Sequence, residues 1–332
     1  MTRLSRFASR LVQATAAVAL LASPALAQDL SVSEMRAKPF KVMIVPTGKP
    51  APKPVAPASR PKTYYGWMHG DVPLAWQGGV TGLGVRITTV DDFSSASRIS
   101  GNLGDGGLSL RHGEWTQKES GMIAIGSTLA AHDFTNTQAV YLAPGFNVLN
   151  LSYGMMAQAG YAGVTWGARE NSILKAAHGN LAFVSKAAGN DYGTAVGQAN
   201  KAGNIDYFGR DLIGAQGAVF VGALTRNGTT TSPASLASYS NIAGEDLRVQ
   251  EQFLVVGVDG AKTGLNGTSF AAPIVSGYGA LLASKFNTEA PATIADRLLD
   301  TARTDTILGY NPVLHGQGEA SLSRALAPNT IQ

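Results

Sequence analysis

A serine within a run of small residues is the strongest chemical signal in the sequence. Ser269 lies in the string Asn-Gly-Thr-Ser-Phe-Ala-Ala-Pro at 266–273. Because proline is tolerated only in the first turn of a helix, the string predicts that Ser269 begins a helix. The N–H groups and partial positive charge at a helix N-terminus stabilise a developing oxyanion. A Gly-Ser helix start is also typical of an ordinary N-cap, and a serine nucleophile needs a neighbouring base.

Short apolar runs alternate with helical stretches from residue 66 onward. These runs lack polar alternation, which is typical of strands buried on both faces of a parallel sheet. We therefore predict an α/β fold, a three-layer sandwich whose mostly parallel sheet is covered by helices on both faces. Functional groups gather at the carboxyl ends of such strands, where Asp91 and Asn190 lie. The predicted strands are 85–90, 148–151, 181–184, 218–224 and 253–258, and the predicted helices are about 119–131, 161–178, 269–285 and 290–302.

Several motifs in this order resemble those of the subtilisin-like serine proteases (subtilases). The serine string resembles the nucleophile motif of that family. Other matching segments are Gly82 to Asp91, Arg111-His112-Gly113, Leu149 to Gly154, Ala187-Ala188-Gly189-Asn190 and His315 to Gly318. The resemblance covers roughly 66–326, and the order Asp, His, Ser is the subtilisin order. It implies a subtilisin-like fold.

The resemblance also implies roles for individual residues. Ser269 would be the nucleophile, His112 the general base, and Asp91 the group that orients the histidine. The Asn190 side chain and the Ser269 backbone N–H would hold the oxyanion. Ser152, Tyr153, Gly154 and Gly189 would contact an extended substrate, for which the family suggests a preference for large apolar side chains.

Each of these positions has a simpler interpretation. His112 follows a glycine-rich stretch and is also consistent with a solvated loop histidine. Asp92 is an alternative partner for it, although the strand register favours Asp91. Asn190 follows Gly189, a pair that is also typical of a plain turn.

The flanks of the histidine depart from the family pattern. Asp92-Phe93 follows the aspartate, and Glu114 to Glu119 replaces the usual threonine, second histidine and small residues. We therefore expect the helix to begin one turn late, near Glu119. Before the nucleophile, Gly257 to Gly260 replaces the usual Ala-Pro-Gly turn.

The start of the chain is predicted to be an export signal followed by a spacer. Three arginines, an apolar stretch from Leu11 to Ala22 and Ala25-Leu26-Ala27 predict a signal peptide over 1–27. The mature protein is then expected to be periplasmic or extracellular, with no membrane association. Residues 28–65 are predicted to be a Pro-rich disordered linker, because seven of the 15 prolines lie within 39–61. Residues 66–326 form the predicted peptidase domain, which we expect to fold without a globular prodomain.

Composition limits the other function classes. The chain of 332 residues has no cysteine, which excludes disulfides, zinc thiolates and a thiol nucleophile. Most of its net charge of +4 lies in the predicted signal, so no nucleic-acid partner is expected. No cofactor is required and no metal ligand is predicted. Structural calcium is known in the family, but no ligand loop of the right spacing is visible. Protein or peptide substrates and a monomer are expected.

Three functions fit the sequence. The first is a secreted serine endopeptidase. The second is a non-catalytic binding protein on the same scaffold, suggested by the altered histidine motif. The third is an esterase that uses Ser269, His315 and either Asp300 or Asp305, although the string around Ser269 lacks the second glycine of a nucleophile elbow.

Overall fold

A computed structural model describes residues 29–31, 35, 37–39 and 62–331. The predicted signal peptide and most of the predicted linker lie outside the described residues. The strands are β1 (Leu30–Ser31), β2 (Ala37–Pro39), β3 (Val85–Asp91), β4 (Ile99–Gly101), β5 (Leu108–Leu110), β6 (Thr128–Asp133), β7 (Phe146–Leu151), β8 (Tyr153–Gln158), β9 (Val164–Thr165), β10 (Phe183–Ala187), β11 (Asn204–Asp206), β12 (Ala218–Leu224) and β13 (Phe253–Gly257).

The helices flank these strands in alternation along the chain. They are α1 (Asp71–Gln77), α2 (His112–Ile123), α3 (Ala168–His178), α4 (Tyr207–Asp211), α5 (Leu247–Glu251), α6 (Gly260–Thr263), α7 (Ala272–Lys285), α8 (Pro291–Asp300), α9 (Pro312–His315) and α10 (Leu322–Leu326). A short 3₁₀ turn, Thr268–Phe270, precedes α7.

A six-stranded parallel sheet organises the domain, in the order β13-β12-β10-β7-β3-β6. Alternate residues of one strand face different cores. In β12, Val219 and Val221 pack with α1, α2, α7, α8 and α10, whereas Ala218 and Phe220 pack with α3, α4 and α5. Helices therefore cover both faces of the sheet, which confirms the predicted fold class.

Helix α7 lies deepest, because it is apolar all round and almost entirely buried. It packs against α2 and beneath β3, β7 and β10. The element that follows Ser269 is therefore a fixed support for the ends of the strands that carry the candidate site.

Two predicted helices differ from the observed elements. The prediction over 119–131 is wrong, because α2 ends at Ile123 and residues 128–133 form the edge strand β6. The helix predicted at 161–178 begins only at Ala168, after β9. Both segments contain short apolar runs, which do not separate strand from helix without their tertiary partners.

Part of the predicted linker forms strands. The short strand β1 pairs in parallel with β9, and β2 pairs antiparallel with β8. Leu30 and Met35 are buried in the core that contains α3. These described residues therefore belong to the folded domain and differ from the predicted spacer.

Candidate active site

Asp91 and His112 meet at the carboxyl end of β3. His112 Nδ1 lies 2.7 Å from Asp91 Oδ1, and both side chains are buried. The same Oδ1 accepts a hydrogen bond of 2.7 Å from the Asp92 backbone N–H. Asp92 itself accepts from the backbone N–H of Ser95, so it caps a turn and does not partner the histidine.

The helix that carries His112 begins at that residue, about two turns before the predicted start near Glu119. The Arg111 backbone N–H donates to Glu114 Oε2 at 2.7 Å, which closes the first turn in the manner of a capping box. Glu114 was one of the residues that made the histidine flank look unusual. Its role is to start α2 and thereby to fix His112 in the first turn.

A glycine after the histidine allows this close approach. The Gly113 backbone N–H donates to the Asp92 carbonyl oxygen at 3.0 Å. A Cβ at position 113 would lie 2.8 Å from the Phe93 ring. The two residues that depart from the family pattern after Asp91 therefore pack directly on the start of α2.

Sequence reasoning missed a second partner of the aspartate. The Thr116 hydroxyl donates to Asp91 Oδ2 at 3.1 Å and is fully buried. It lies one helical turn after His112, so both side chains face the same carboxylate. A search for a hydroxyl residue four positions after the histidine could have found it.

Ser269 lies in the 3₁₀ turn that precedes α7, and the predicted helix over 269–285 begins only at Ala272. Its hydroxyl donates to the Ser152 carbonyl oxygen at 3.2 Å, and the Ser152 hydroxyl donates to the Ser269 carbonyl oxygen at 2.9 Å. The chain of buried hydrogen bonds continues from Ser152 to Asn150 and from Asn150 to Ser276 on α7. Ser269 is thus tied to the beginning of β8 by two reciprocal bonds.

The structure does not bond Ser269 to His112. Within the described part of the chain, His112 Nε2 is buried and has no hydrogen-bond partner. The neighbouring Phe270 ring lies with its centroid 6.0 Å from that of the imidazole. The elements that carry the two side chains are therefore in contact, while the hydroxyl of Ser269 points to Ser152.

Asn190 is held beside the same turn. Its Oδ1 accepts from the Thr268 backbone N–H at 2.8 Å and from the Thr268 hydroxyl at 2.9 Å. Because Oδ1 is used in this way, the amide nitrogen is directed away from Thr268 and lies beside Gly267. Gly267 has φ of 132°, and a Cβ there would come within 2.9 Å of Asn190 Nδ2. The Thr268 hydroxyl also accepts from the Gly189 N–H, which joins the two segments.

The residues of the esterase hypothesis lie in other surroundings. His315 stacks on Tyr310, with centroids 5.9 Å apart, and Asp305 pairs with Arg303. No group of three or more His, Cys, Asp or Glu suited to a metal ion occurs among the described residues. In the same part of the chain, no helix combines the length and the apolar character that a membrane span requires.

Comparison with known proteins identifies the family. The model of the subtilase family matches residues 120–319, which is more than half of the chain. The chain belongs to the subtilase family. This family consists of serine proteases. The matched region contains Asn190 and Ser269 but begins after Asp91 and His112. That Asp91 and His112 belong to the same site is therefore supported by their 2.7 Å contact and not by the family match.

Solved structures agree on the fold. The chain is similar to MycP1 from the ESX-1 type VII secretion system, with 18% identity and a TM-score of 0.52 over 89% of this chain and 93% of that one. It is also similar to MycP1 from Mycobacterium smegmatis, with 19% identity and a TM-score of 0.53 over 89% and 92%. At this identity the likeness shows a shared fold. A comparison with curated proteins found no match.

Proposed function

We propose that this subtilase is an exported serine endopeptidase in which Asp91, His112 and Ser269 form the catalytic triad. The observation that carries the proposal is the 2.7 Å contact between His112 Nδ1 and Asp91 Oδ1. An acceptor on Nδ1 fixes the proton there, so the neutral imidazole presents Nε2 as a base. Since Nε2 has no protein partner in the described chain, it is available to a serine hydroxyl.

The reaction then requires a small change at the nucleophile. Ser269 Oγ leaves the Ser152 carbonyl oxygen and gives its proton to His112 Nε2 as it attacks the peptide carbonyl carbon. Catalytic hydrogen bonds are often long or poorly aligned before substrate binds, and the 3.2 Å bond from Ser269 to Ser152 is long for a hydroxyl donor. His112 next protonates the leaving amine, and water hydrolyses the acyl-enzyme by the reverse sequence.

Asn190 would stabilise the oxyanion together with the Ser269 backbone N–H. Its orientation is fixed before substrate arrives, because Thr268 satisfies Oδ1 twice. A donor held in this way costs no reorganisation during the reaction. Replacement of such a donor slows acylation by about 100- to 1,000-fold in related cases, which include a subtilisin.

An extended peptide is the substrate that fits the scaffold. Ser152, Tyr153 and Gly154 lie at the junction of β7 and β8, beside the nucleophile, and Gly189 precedes the oxyanion residue. Added strands bind through main-chain hydrogen bonds, so a chain can be cleaved away from its ends. Export is proposed from the pattern of residues 1–27, and a monomer that needs no cofactor remains our expectation.

A fluorophosphonate probe tests the triad without knowledge of the substrate. We expect labelling at Ser269 that is lost in Ser269→Ala and is lost or greatly reduced in His112→Ala, because the serine hydroxyl needs a base. His315→Ala is the matched control and should label normally. Casein cleavage should follow the same order. Labelling that survives His112→Ala but fails in His315→Ala would favour the esterase, and a folded protein that never labels would favour a binding protein.

A further inference from the structure

The chain places one of its own segments on the strand that we assign to substrate. The strand β2 pairs antiparallel with β8, so that Pro39 lies opposite Tyr153, Lys38 opposite Gly154 and Ala37 opposite Met155. Strand β8 begins one residue after Ser152, whose carbonyl oxygen accepts a hydrogen bond from the Ser269 hydroxyl. The paired edge therefore leads directly to the nucleophile.

The hydrogen-bonding direction of β8 agrees with this arrangement. The Met155 backbone N–H donates to the side-chain Oδ1 of Asp206 at 2.9 Å, and Asp206 belongs to β11, which pairs on that side of β8. Because successive N–H groups of a strand point to opposite sides, the Gly154 N–H faces β2. Lys38 and Gly154 are thus the pair whose main-chain groups face one another.

Side chains of this pair of strands divide between two faces. Directly opposed residues of an antiparallel pair lie on the same face, so Ala37 and Pro39 share a face with Met155 and Tyr153. Ala37 and Pro39 are half-buried, whereas Lys38 points to the other face and is exposed. Of the three residues of β2, Ala37 and Pro39 therefore face the domain and Lys38 does not.

The side chains beneath Ala37 and Pro39 are closely packed. Tyr153 is 0% exposed, stacks on Phe208 with centroids 5.6 Å apart, and meets Phe134 edge-on at 5.0 Å. Met155 is 1% exposed and belongs to the same core, against which Ala37 packs. A close-packed core of this kind gives little room to a larger side chain from the added strand.

We propose that the β8 edge selects peptides with small apolar residues at the two alternate positions that face Met155 and Tyr153, and that it accepts any residue between them. This inference rests on the proposed function, in which β8 binds substrate. It replaces the preference for large apolar side chains, which the family resemblance suggested, at these two positions. Residues 37–39, with the sequence Ala-Lys-Pro, are the occupant that shows what fits.

The occupant is held by more than its three residues. Leu30 and Met35 are buried in the core, and β1 pairs with β9. Tethering converts the pairing of β2 into an intramolecular event, whose effective concentration is on the order of millimolar for a short connection. A small binding preference at position 37 therefore becomes measurable within the chain itself.

A size exchange tests the selection without any catalysis. In a Ser269→Ala background, hydrogen exchange at the Gly154 amide reports whether β2 is seated. We expect Ala37→Met to speed this exchange at least tenfold, and Ala37→Met with Met155→Ala to return it to within about threefold of the parent, because the volume is restored. Lys38→Met is the matched control, since it adds an apolar side chain on the exposed face and should change nothing.

Two of these variants alter only the N-terminal segment, so folding of the domain does not confuse the result. Equal exchange in Ala37→Met and Lys38→Met, or a double variant that stays fast, would overturn the selection. In active protein, a peptide with Ala at the position aligned with residue 37 should exceed its Phe counterpart in kcat/KM by at least tenfold, and Met155→Ala should remove the difference. Absence of labelling at Ser269 would refute the proposed protease while leaving the exchange experiment valid.

Discussion

Thr116 offers a sharp test of how the candidate site is held together. Asp91 is completely buried and receives hydrogen bonds from His112 Nδ1, from the Asp92 N–H and from the Thr116 hydroxyl. Only the last of these reaches Oδ2 among the described residues. Thr116→Val keeps the shape of the side chain and removes that donor, so it leaves one oxygen of a buried carboxylate unsatisfied.

The expected cost follows from the charge of the acceptor. A hydrogen bond to a charged group contributes about 1.5–3 kcal/mol, so we expect a loss of about 2 kcal/mol in the free energy of unfolding by urea. Loss of a fixed carboxylate also frees the imidazole, and we expect fluorophosphonate labelling about tenfold slower, which corresponds to about 1.4 kcal/mol in the barrier. Thr116→Ser keeps the hydroxyl and should approach the parent in both assays. A Thr116→Val protein within about 0.5 kcal/mol of the parent, with normal labelling, would refute this account of the site.

Three further substitutions address the supports of the site. Gly113→Ala should destabilise the fold by about 1–3 kcal/mol and slow labelling, because its Cβ would lie 2.8 Å from the Phe93 ring; a stable, fully reactive variant would contradict the close approach. Burial raises the pKa of Glu119 above its ordinary value of 4.5, so the folded state holds the extra proton above that pH. Stability should then fall as pH rises beyond 4.5, by up to about 1.4 kcal/mol per pH unit, and Glu119→Gln should remove this slope in urea titrations at several pH values. Lys186→Met should cost about 3–5 kcal/mol, because it leaves Asp206 without the cation that lies 2.8 Å away. Lys186→Met with Asp206→Asn removes the unpaired charge but keeps an acceptor for the Met155 N–H, so it should recover most of the loss in thermal unfolding.

The sequence was informative wherever function requires a particular backbone. The string around Ser269 combines a glycine that can adopt φ of 132°, a threonine that binds Asn190, and a proline at the start of α7. Each of these features permits few residue types at its position, so it can be recognised in the sequence. The parallel strands were visible for a related reason, since strands buried on both faces leave uninterrupted apolar runs.

Elements that depend on distant partners were not visible. The sequence of β6, Thr-Leu-Ala-Ala-His-Asp, contains residues that favour a helix, and it becomes a strand because it pairs with β3 over its whole length. The beginning of α2 was misplaced for another reason. Glu114 caps the helix by accepting from the Arg111 backbone N–H, a hydrogen bond that the subtilase pattern does not contain.

The N-terminal strands show the same limit most clearly. Main-chain pairing makes few demands on side chains, so Ala-Lys-Pro leaves no strand signal, and the surrounding prolines indicate a spacer. What places β2 is the open edge of β8 together with the buried anchors Leu30 and Met35. Neither feature can be recognised without the folded domain.

The structure combines an occupied β8 edge with a buried Ser269. Ser269 is 0% exposed, His112 is 4% exposed, and β2 lies on the strand that leads to them. A peptide that adds to β8 must first displace residues 37–39, because one edge of a strand pairs with one chain at a time. Under the proposed mechanism, displacement depends on the fit of Ala37 against Met155, whereas acylation depends on Asp91, His112 and Ser269. Substitutions in residues 37–39 should therefore change access of a peptide to the site, and substitutions around Asp91 should change the chemical step. The first group should alter cleavage of a peptide more than labelling by a small probe, whereas the second group should alter both.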